Sequence, residues 1–445
     1  MQEIISAIST ASGTGGVAII RISGEGALQL SAKMFRPLGK TAVENFKPYQ
    51  MYVGEIDGGD FTDFGMMVYF KGPKSYTGED MVEFHCHGGI AIQKGILKQT
   101  FNLGAVPATR GEFTKRAFIN GKLSLDGAEG LISMINSESV ASVKLGYGLY
   151  REKLSKKVTE LQNALTYSLA SINADIDYPE EDLEELALDG VKKVLTNTLK
   201  EVDALISNYS AGRKIKNGVK VAIVGKPNTG KSSLLNAILN YDKAIVSSVA
   251  GTTRDVVEGS TEIGGVKFEF YDTAGIHSSN DEIEIQGIER SQKFLNSADV
   301  VILALDASAP FTSDDYQVIN WCEDKNVIRV YNKHDLGFTN NFTDGLIVSA
   351  KTGEGIPMLK QELYNRSFLK GIDFNAEFIT EERHLRALNL AKESIYDALN
   401  NIGVVPLDLV AEDVKKVWDY LGEITGETAT EEIIDEIFAK FCVGK

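Results

Sequence analysis

Between the apolar run Val221-Ala222-Ile223-Val224 and the helix-like Ser233-Leu234-Leu235-Asn236 stands Gly225-Lys226-Pro227-Asn228-Thr229-Gly230-Lys231-Ser232. A G-x4-G-K-S run between a buried strand and a helix is a phosphate-binding loop. Its glycines let backbone N–H groups approach phosphate oxygens at a helix N-terminus. The run therefore commits this stretch to a parallel α/β sheet with a ligand at the carboxyl end of a strand. Lys231 is expected to neutralise the β- and γ-phosphates, and the Ser232 hydroxyl to ligate Mg²⁺. Taken alone, the run leaves ATP and GTP both open.

Three further elements follow in order and choose between them. Asp272-Thr273-Ala274-Gly275 comes after the strand-like Lys267–Tyr271. Its Asp can hold Mg²⁺ through water, and Gly275 can offer an N–H to the γ-phosphate. Asn332-Lys333-His334-Asp335 follows the strand-like Val327–Tyr331. The Asp335 carboxylate can accept both the N1 and N2 hydrogens of guanine; adenine would leave it unpaired, so discrimination is strong. Ser349-Ala350-Lys351 can supply a backbone contact to the base oxygen. Gly251-Thr252-Thr253-Arg254-Asp255 lies where a first switch belongs, with Thr253 a second Mg²⁺ ligand. Many small GTPases place a water-orienting glutamine directly after the D-x-x-G glycine, where this chain has Ile276. The group must come from elsewhere. The acidic stretch Asp281-Glu282-Ile283-Glu284 is nearby but pattern does not choose among its carboxylates, and Arg254 and Arg290 read more readily as surface or structural cations than as arginine fingers.

Around this centre the chain has 445 residues, enough for several domains. Four of its nine prolines fall in residues 1–119, where Gly16–Ile22, Phe64–Phe70 and Asp80–His85 read as strands separated by helices, an α+β domain. From Ala108 to Lys226 the only proline is Pro179, and apolar residues such as Leu154, Val158, Leu161 and Leu165 recur at helical spacing. After about residue 375 the chain turns helical again. Helix, α/β, helix is the pattern of an insertion. The expected architecture is multidomain α/β and α+β. It comprises an N-terminal domain over 1–119, a discontinuous helical domain over 120–215 and 376–445, and an inserted Ras-like P-loop G domain over 216–375. Net charge is −16, so the overall field does not attract nucleic acid; any such substrate needs a local basic patch or a partner to present it. Three scattered cysteines, no signal-peptide n-region and no apolar run near the ~18 residues of a membrane span point to a cytoplasmic chain.

The G motifs, together with several others, resemble those of the tRNA-modification GTPase family MnmE (TrmE), over nearly the whole chain. The carriers are Gly-Gly-Val-Ala-Ile-Ile-Arg-Ile-Ser-Gly (15–24), Tyr76-Thr77-Gly78-Glu79-Asp80 and His87-Gly88-Gly89. To these add Gly111-Glu112-Phe113-Thr114-Lys115-Arg116-Ala117-Phe118 and the terminal Phe441-Cys442-Val443-Gly444-Lys445. The resemblance implies a homodimer made by an N-terminal domain that binds 5-formyl- or methylene-tetrahydrofolate, with contacts mapping onto Arg21, Glu83, Lys122 and Lys445. Without it, Arg21 reads as a surface cation and Glu83 as a strand-edge carboxylate. It also implies K⁺-dependent GTP hydrolysis by dimerising G domains. Asn228 is then the K⁺ ligand, with Ser247, Val249 and Thr252 completing the site and Glu284 orienting the water. Expected nucleotide contacts are Asn228, Thr229, Gly230, Lys231, Ser232, Ser233, the stretch Ser247-Ser248-Val249-Ala250-Gly251-Thr252-Thr253, Asp272, Thr273, Ala274, Gly275, Asn332, Lys333, Asp335, Ser349, Ala350 and Lys351. Cys442 reads as a nucleophile or as a buried helix-end thiol. His85 and His87 share a strand face, but no further metal ligands cluster with them in sequence.

Family members work with the FAD-containing MnmG (GidA). Together they place an aminomethyl or carboxymethylaminomethyl group on carbon five of the tRNA wobble uridine. The implied assembly is a heterotetramer in which flavin and NADH belong to the partner, which also holds most of the tRNA. Gly13-Thr14-Gly15-Gly16-Val17-Ala18 precedes a strand rather than following one, so it is no dinucleotide site. The competing class is a regulatory or ribosome-assembly switch GTPase, which would share the G motifs but has no need of the N-terminal domain or the Cys-x-Gly-Lys end.

Overall fold

The computed structural model describes residues 3–177, 184–240, 259–272, 294–339, 344–367, 369, 372 and 377–445, with residues 184–187 and 272 in backbone alone. They form two compact units: Met1–Ile132, Leu149–Lys200 and Arg386–Lys445 in one, Ser133–Gly148 and Glu201–Leu385 in the other.

The first unit is built on a seven-stranded sheet of β1 (Ile5–Ile8), β2 (Val17–Ser23), β3 (Phe35–Pro37), β4 (Met51–Asp57), β5 (Thr62–Phe70), β6 (Met81–His87) and β7 (Val106–Pro107). Its order is β3-β4-β5-β6-β2-β1-β7, antiparallel except for the β1–β7 pair. The three expected strands correspond to β2, β5 and β6. Side chains alternate across a strand, so each strand serves two faces. Ile20, Ile22, Met67 and Phe84 point into a core completed by α1 (Ala27–Ala32) and α2 (Ile90–Asn102). Cross-strand pairs place Met51, Val68, Glu83, Arg21 and Ala7 in one row of the opposite face, with Val53, Met66, His85 and Ile19 in the next.

In the same unit the helix Lys153–Asp177 buries Leu154, Val158, Leu161, Leu165 and Ile172 at three-, four- and seven-residue spacing. It packs against the helix Leu407–Thr425, whose Val410, Val414, Val417, Leu421 and Ile424 form the facing stripe. Gln162 ties the two by donating to the Trp418 carbonyl at 3.2 Å. Phe438 and Phe441, at the end of the helix Glu431–Ala439, bury against Ala117 of α3 (Glu112–Ile119) and against Leu125. Each such side chain contributes roughly 1.5–3 kcal/mol by leaving water. The helix Glu431–Ala439 is thereby anchored beside α3.

The second unit carries a six-stranded sheet of β8 (Val219–Val224), β9 (Gly259–Ile263), β10 (Val266–Asp272), β11 (Val300–Asp306), β12 (Val327–Asn332) and β13 (Leu346–Ile347). The order is β13-β12-β11-β8-β10-β9. Val221 to Val224 are fully buried, as expected of a parallel strand covered on both faces. The sheet is not wholly parallel, because β9 runs antiparallel to β10. The cause is local. Gly264 and Gly265, both at positive φ (61° and 84°), form a two-residue hairpin turn that returns the chain directly. Among the described residues no helix is long and apolar enough to cross a membrane.

Candidate functional site

In the second unit β8 lies between β10 and β11, so the strand order reverses there and a crevice opens at the carboxyl ends. The phosphate loop leaves β8 at this point and enters α4 (Lys231–Asn240) at Lys231. A Cβ on Gly225 would stand 2.4 Å from the Ala304 carbonyl oxygen; one on Gly230, where φ is +88°, would stand 2.4 Å from Asn332 Nδ2. Only glycine fits either position. Asn228 also takes a left-handed backbone, at φ 60°. Lys231 is buried and donates to the carbonyls of Gly225 (3.0 Å) and Lys226 (3.1 Å), which brings its ammonium back across the loop. Ser232 and Ser233 occupy the first turn of α4.

The candidate base-recognition residues meet at the same end of the sheet. Asn332 is buried and serves two loops at once: Nδ2 donates to the Thr229 carbonyl at 2.9 Å, and Oδ1 accepts from the Ala350 N–H at 3.0 Å. It thus pins the phosphate loop to the Ser349-Ala350-Lys351 turn. The Ser349 hydroxyl donates to Asp335 Oδ1 at 2.8 Å, and Lys351 Nζ stands 4.0 Å from Oδ2. Asp335 is therefore held in one orientation.

Two residues at this site carry no motif of their own in the sequence. Asp306, at the end of β11, receives Lys333 Nζ at 2.6 Å. Burial pushes its carboxyl up, but the hydrogen bonds from Lys333 and Ser308 prevail and hold it below the usual carboxylate range. Its signal was an acid at the carboxyl end of a fully apolar strand. Asp315, in the capping box of α5 (Ser313–Trp321), accepts from Lys226 Nζ at 2.6 Å and from the Thr312 N–H at 2.8 Å. The second residue of the phosphate loop is thereby tied to that helix.

Asp272 closes β10. Its side chain lies outside the described residues. So do Ser247, Ser248, Val249, Ala250, Gly251, Thr252, Thr253, Thr273, Ala274, Gly275, Ile276 and Glu284, with the rest of the two candidate switch stretches.

In the first unit three of the four folate candidates converge. Arg21 is partly buried, and its Nη2 lies 2.8 Å from Glu83 Oε1 while Nη1 donates to the Gly444 carbonyl at 3.2 Å. Its guanidinium lies over the rings of Tyr76 (5.4 Å) and Phe113 (5.6 Å), a cation–π arrangement. Glu83 sits on a central strand and also faces His85 Nε2 at 3.5 Å. Burial raises its carboxyl, but His85 and Arg21 together bring the net below the ordinary value. Lys445, beside them, is pushed down by burial and by the Arg21 charge. Arg21 is thus no free surface cation, and Glu83 is no edge carboxylate. Lys122 is placed differently: its Nζ donates to the Pro73 carbonyl at 2.8 Å on the exposed surface. Cys442 is exposed, not a buried helix-end thiol. His87 is held by Asp63 Oδ1 at 2.7 Å rather than joined to His85, and no metal-ligating cluster occurs among the described residues.

Two sequence runs without an evident role prove to be one structure. Arg116 of the Gly111–Phe118 run donates to both Glu79 oxygens (3.2 and 3.1 Å) and to Glu112 (2.9 Å), while Ser23 reaches the same Glu79 at 2.8 Å. This network sets the segments that carry Tyr76 and Phe113 against Arg21.

A phosphate loop at the switch point of a mostly parallel sheet, with an Asn-Lys-x-Asp and a Ser-Ala-Lys turn joined to it by Asn332, defines a guanine-nucleotide-binding P-loop GTPase. Comparison with known proteins narrows the class. Residues 4–122 match the family described as GTP-binding protein TrmE N-terminus, and residues 125–442 the MnmE helical domain. The tRNA modification GTPase MnmE of Clostridioides difficile is 38% identical over 459 residues, covering 100% of both chains. That of Desulforamulus reducens is 37% identical over 460 residues, again covering 100% of both. The G domain of T. maritima FeoB is similar over 34% of this chain and 98% of its own, at 26% identity and a TM-score of 0.27. The chain belongs to the MnmE (TrmE) family of tRNA modification GTPases.

Proposed function

We propose that this chain hydrolyses GTP in a K⁺-dependent manner through pairing of two G domains. With an FAD-containing MnmG-type partner, it adds an aminomethyl or carboxymethylaminomethyl group to carbon five of a tRNA wobble uridine. The observation that carries this reading is the meeting of Arg21, Glu83 and Lys445 from distant parts of the chain, in a protein that also brings Asn332, Asp335 and Ser349 together beside the phosphate loop. A switch GTPase has no use for the first of these.

The residues suit the groups assigned to them. Gly225 and Gly230 leave backbone space that a Cβ would fill, as a phosphate cradle requires. Ser232, at the first turn of α4, would ligate Mg²⁺, and Asn228, with its left-handed backbone, would offer its oxygen to K⁺. In the first unit, Glu83 can accept from a pterin amino group, while Arg21 and Lys445 suit carboxylates. Bound tetrahydrofolate would supply a one-carbon unit there. Lys122, which donates to the Pro73 carbonyl, is assigned as the fourth contact on the family resemblance alone.

The outward sheet face favours a homodimer. Met51, Val53, Phe64 and Val17 are 53%, 43%, 52% and 60% exposed, an apolar array that a second copy would cover. Arg21 and Glu83 lie in the same face. The expected location is the cytoplasm, with the partner carrying flavin, NADH and most of the tRNA contact.

The deciding measurement is GTP hydrolysis by the purified chain in K⁺ and in Na⁺ at matched ionic strength. Strong K⁺ stimulation, lost in Asn228→Ala and Glu284→Ala, supports the dimerising modification GTPase. Equal rates in both salts remove the K⁺ site and shift the reading to a switch GTPase.

A further inference from the structure

We propose that a cavity at the open edge of β1, separate from the Arg21–Glu83 cluster, binds an organic anion with an apolar body, a carboxylate or a phosphate monoester. The cavity has a volume of about 790 Å³, the size of a small-molecule site. It opens because β7 pairs with β1 only at Ile5 and Ser6, and the C-terminal segment then borders the edge beyond, through the Arg110–Val443 bridge.

Three features define its ligand. The charged residues of the wall are Lys94, Arg110 and Lys440; among the described residues the wall holds no Asp or Glu, although acids outnumber bases 62 to 46 in the chain. Lys440 pairs with Glu436 outside the wall, at 3.1 Å. Neither Lys94 nor Arg110 has an ion-pair partner among the described residues, so their charges are open to an anion. The apolar part of the wall includes Ile8, Leu97 and Phe101, which can cover a hydrocarbon or aromatic body.

The third feature is Ser6. It is 1% exposed, its Oγ has no hydrogen-bond partner among the described residues, and it lines this cavity. Buried hydroxyls are almost always paired, so a ligand atom is the natural partner. Ser6 stands opposite Ile22, on the α2 face of the sheet, whereas Ala7 stands opposite Arg21 on the other face. Although Ala7 also lines the cavity, Arg21, Glu83 and Lys445 do not, and this sets it apart from the proposed folate contacts.

Cys442 lines the cavity, and it is the exposed member of a set of three cysteines whose others, Cys86 and Cys322, are buried. Its alkylation by N-ethylmaleimide is a reporter confined to this site. The probe is 8-anilinonaphthalene-1-sulfonate, an anion with an aromatic body, applied to the full chain. Saturating probe is expected to slow Cys442 labelling at least tenfold. Lys94→Glu and Arg110→Glu should each raise the probe concentration needed by about tenfold. Ser6→Ala should weaken protection while raising the melting temperature of the free chain, since it removes an unpaired buried group. Labelling unaffected by the probe, or protection unchanged in all three variants, overturns the proposal. Benzoate and uridine 5′-monophosphate are then used as competitors. Displacement of the probe's bound-state fluorescence by benzoate assigns the site to free carboxylates, and displacement by the nucleotide assigns it to phosphate monoesters. Failure of both at millimolar concentration refutes the anion class.

Discussion

Arg21 and Gly444 are 423 residues apart in the chain, yet the guanidinium of the first donates to the carbonyl of the second at 3.2 Å. The contact exists because Gly444 has no side chain. At φ 94° a Cβ there would stand 2.2 Å from the Ile8 carbonyl oxygen. Ser9 Oγ holds the same carbonyl at 2.9 Å, so the last turn of chain is seated on β1 and β2 by backbone proximity.

Gly444→Ala should therefore unseat the terminus without unfolding the unit. The terminal segment is held mainly by Phe438 and Phe441 and the rest of the unit by its own cores, so the loss of stability should be small, of order 1–2 kcal/mol from strain and lost hydrogen bonds. Lys445 would leave Arg21 and Glu83. Binding of 5-formyltetrahydrofolate, measured by calorimetry, is expected to weaken at least tenfold while GTP affinity is unchanged. Unchanged folate affinity would separate the terminus from that site.

Glu83, faced by His85 and Arg21, gives a pH dependence of known sign. The Glu83 carboxyl titrates below its ordinary value of 4.5 in the folded chain. A depressed acid contributes stability that is complete above the unfolded value and is lost as pH falls through the folded one. Melting temperature should thus fall below about pH 4.5 partly on this account. Glu83→Gln should be less stable at neutral pH, by roughly 1.5–3 kcal/mol for a hydrogen bond to a charged group. Its acid limb should be shallower than that of the parent. Parallel acid limbs would show that Glu83 does not drive the transition.

How much of this was legible beforehand follows from how local each feature is. The phosphate loop occupies eight consecutive residues whose backbone demands are met by glycine, so sequence announces it with its strand and helix. The Asn332 link between two loops is also implied, since both ends carry their own motif. The antiparallel β9 rests on Gly264-Gly265, a turn signal that the parallel pattern around it overrode. Asp306 and Asp315 have no spacing to mark them; they matter because β11 and α5 end where the nucleotide corner lies. The cluster around Arg21 was foreseen only through family resemblance, because its members are joined by sheet register and by the burial of Phe438 and Phe441, which no local pattern states.

Asn332 supplies the third test. It satisfies the Thr229 carbonyl and the Ala350 N–H from a position 1% exposed. Asn332→Ala leaves both groups without that partner, at about 1–3 kcal/mol for each one that stays buried and unpaired. The phosphate loop and the base turn would then move independently. GTP and GDP affinity should both fall tenfold or more, since the loss is common to the two nucleotides. A variant that lost GTP affinity alone would contradict this account.

Base choice gives the sharpest test, because the acceptor pair of Asp335 matches two donors on guanine. Asp335→Asn replaces one acceptor oxygen by an N–H donor, which then faces the guanine amino group donor to donor. The same amide fits xanthine, whose position-two oxygen accepts. GTP affinity is expected to drop about a hundredfold or more, with a gain for XTP, because a site built for a hydrogen bond strongly rejects a base that cannot make it. Ser349→Ala should do less. It removes the hydroxyl that holds Asp335 at 2.8 Å but leaves the carboxylate, so both nucleotides should weaken by a few fold without a switch in preference. Competition binding with GTP and XTP reads both variants in one assay, and an Asp335→Asn chain that still preferred GTP would move guanine recognition away from this carboxylate.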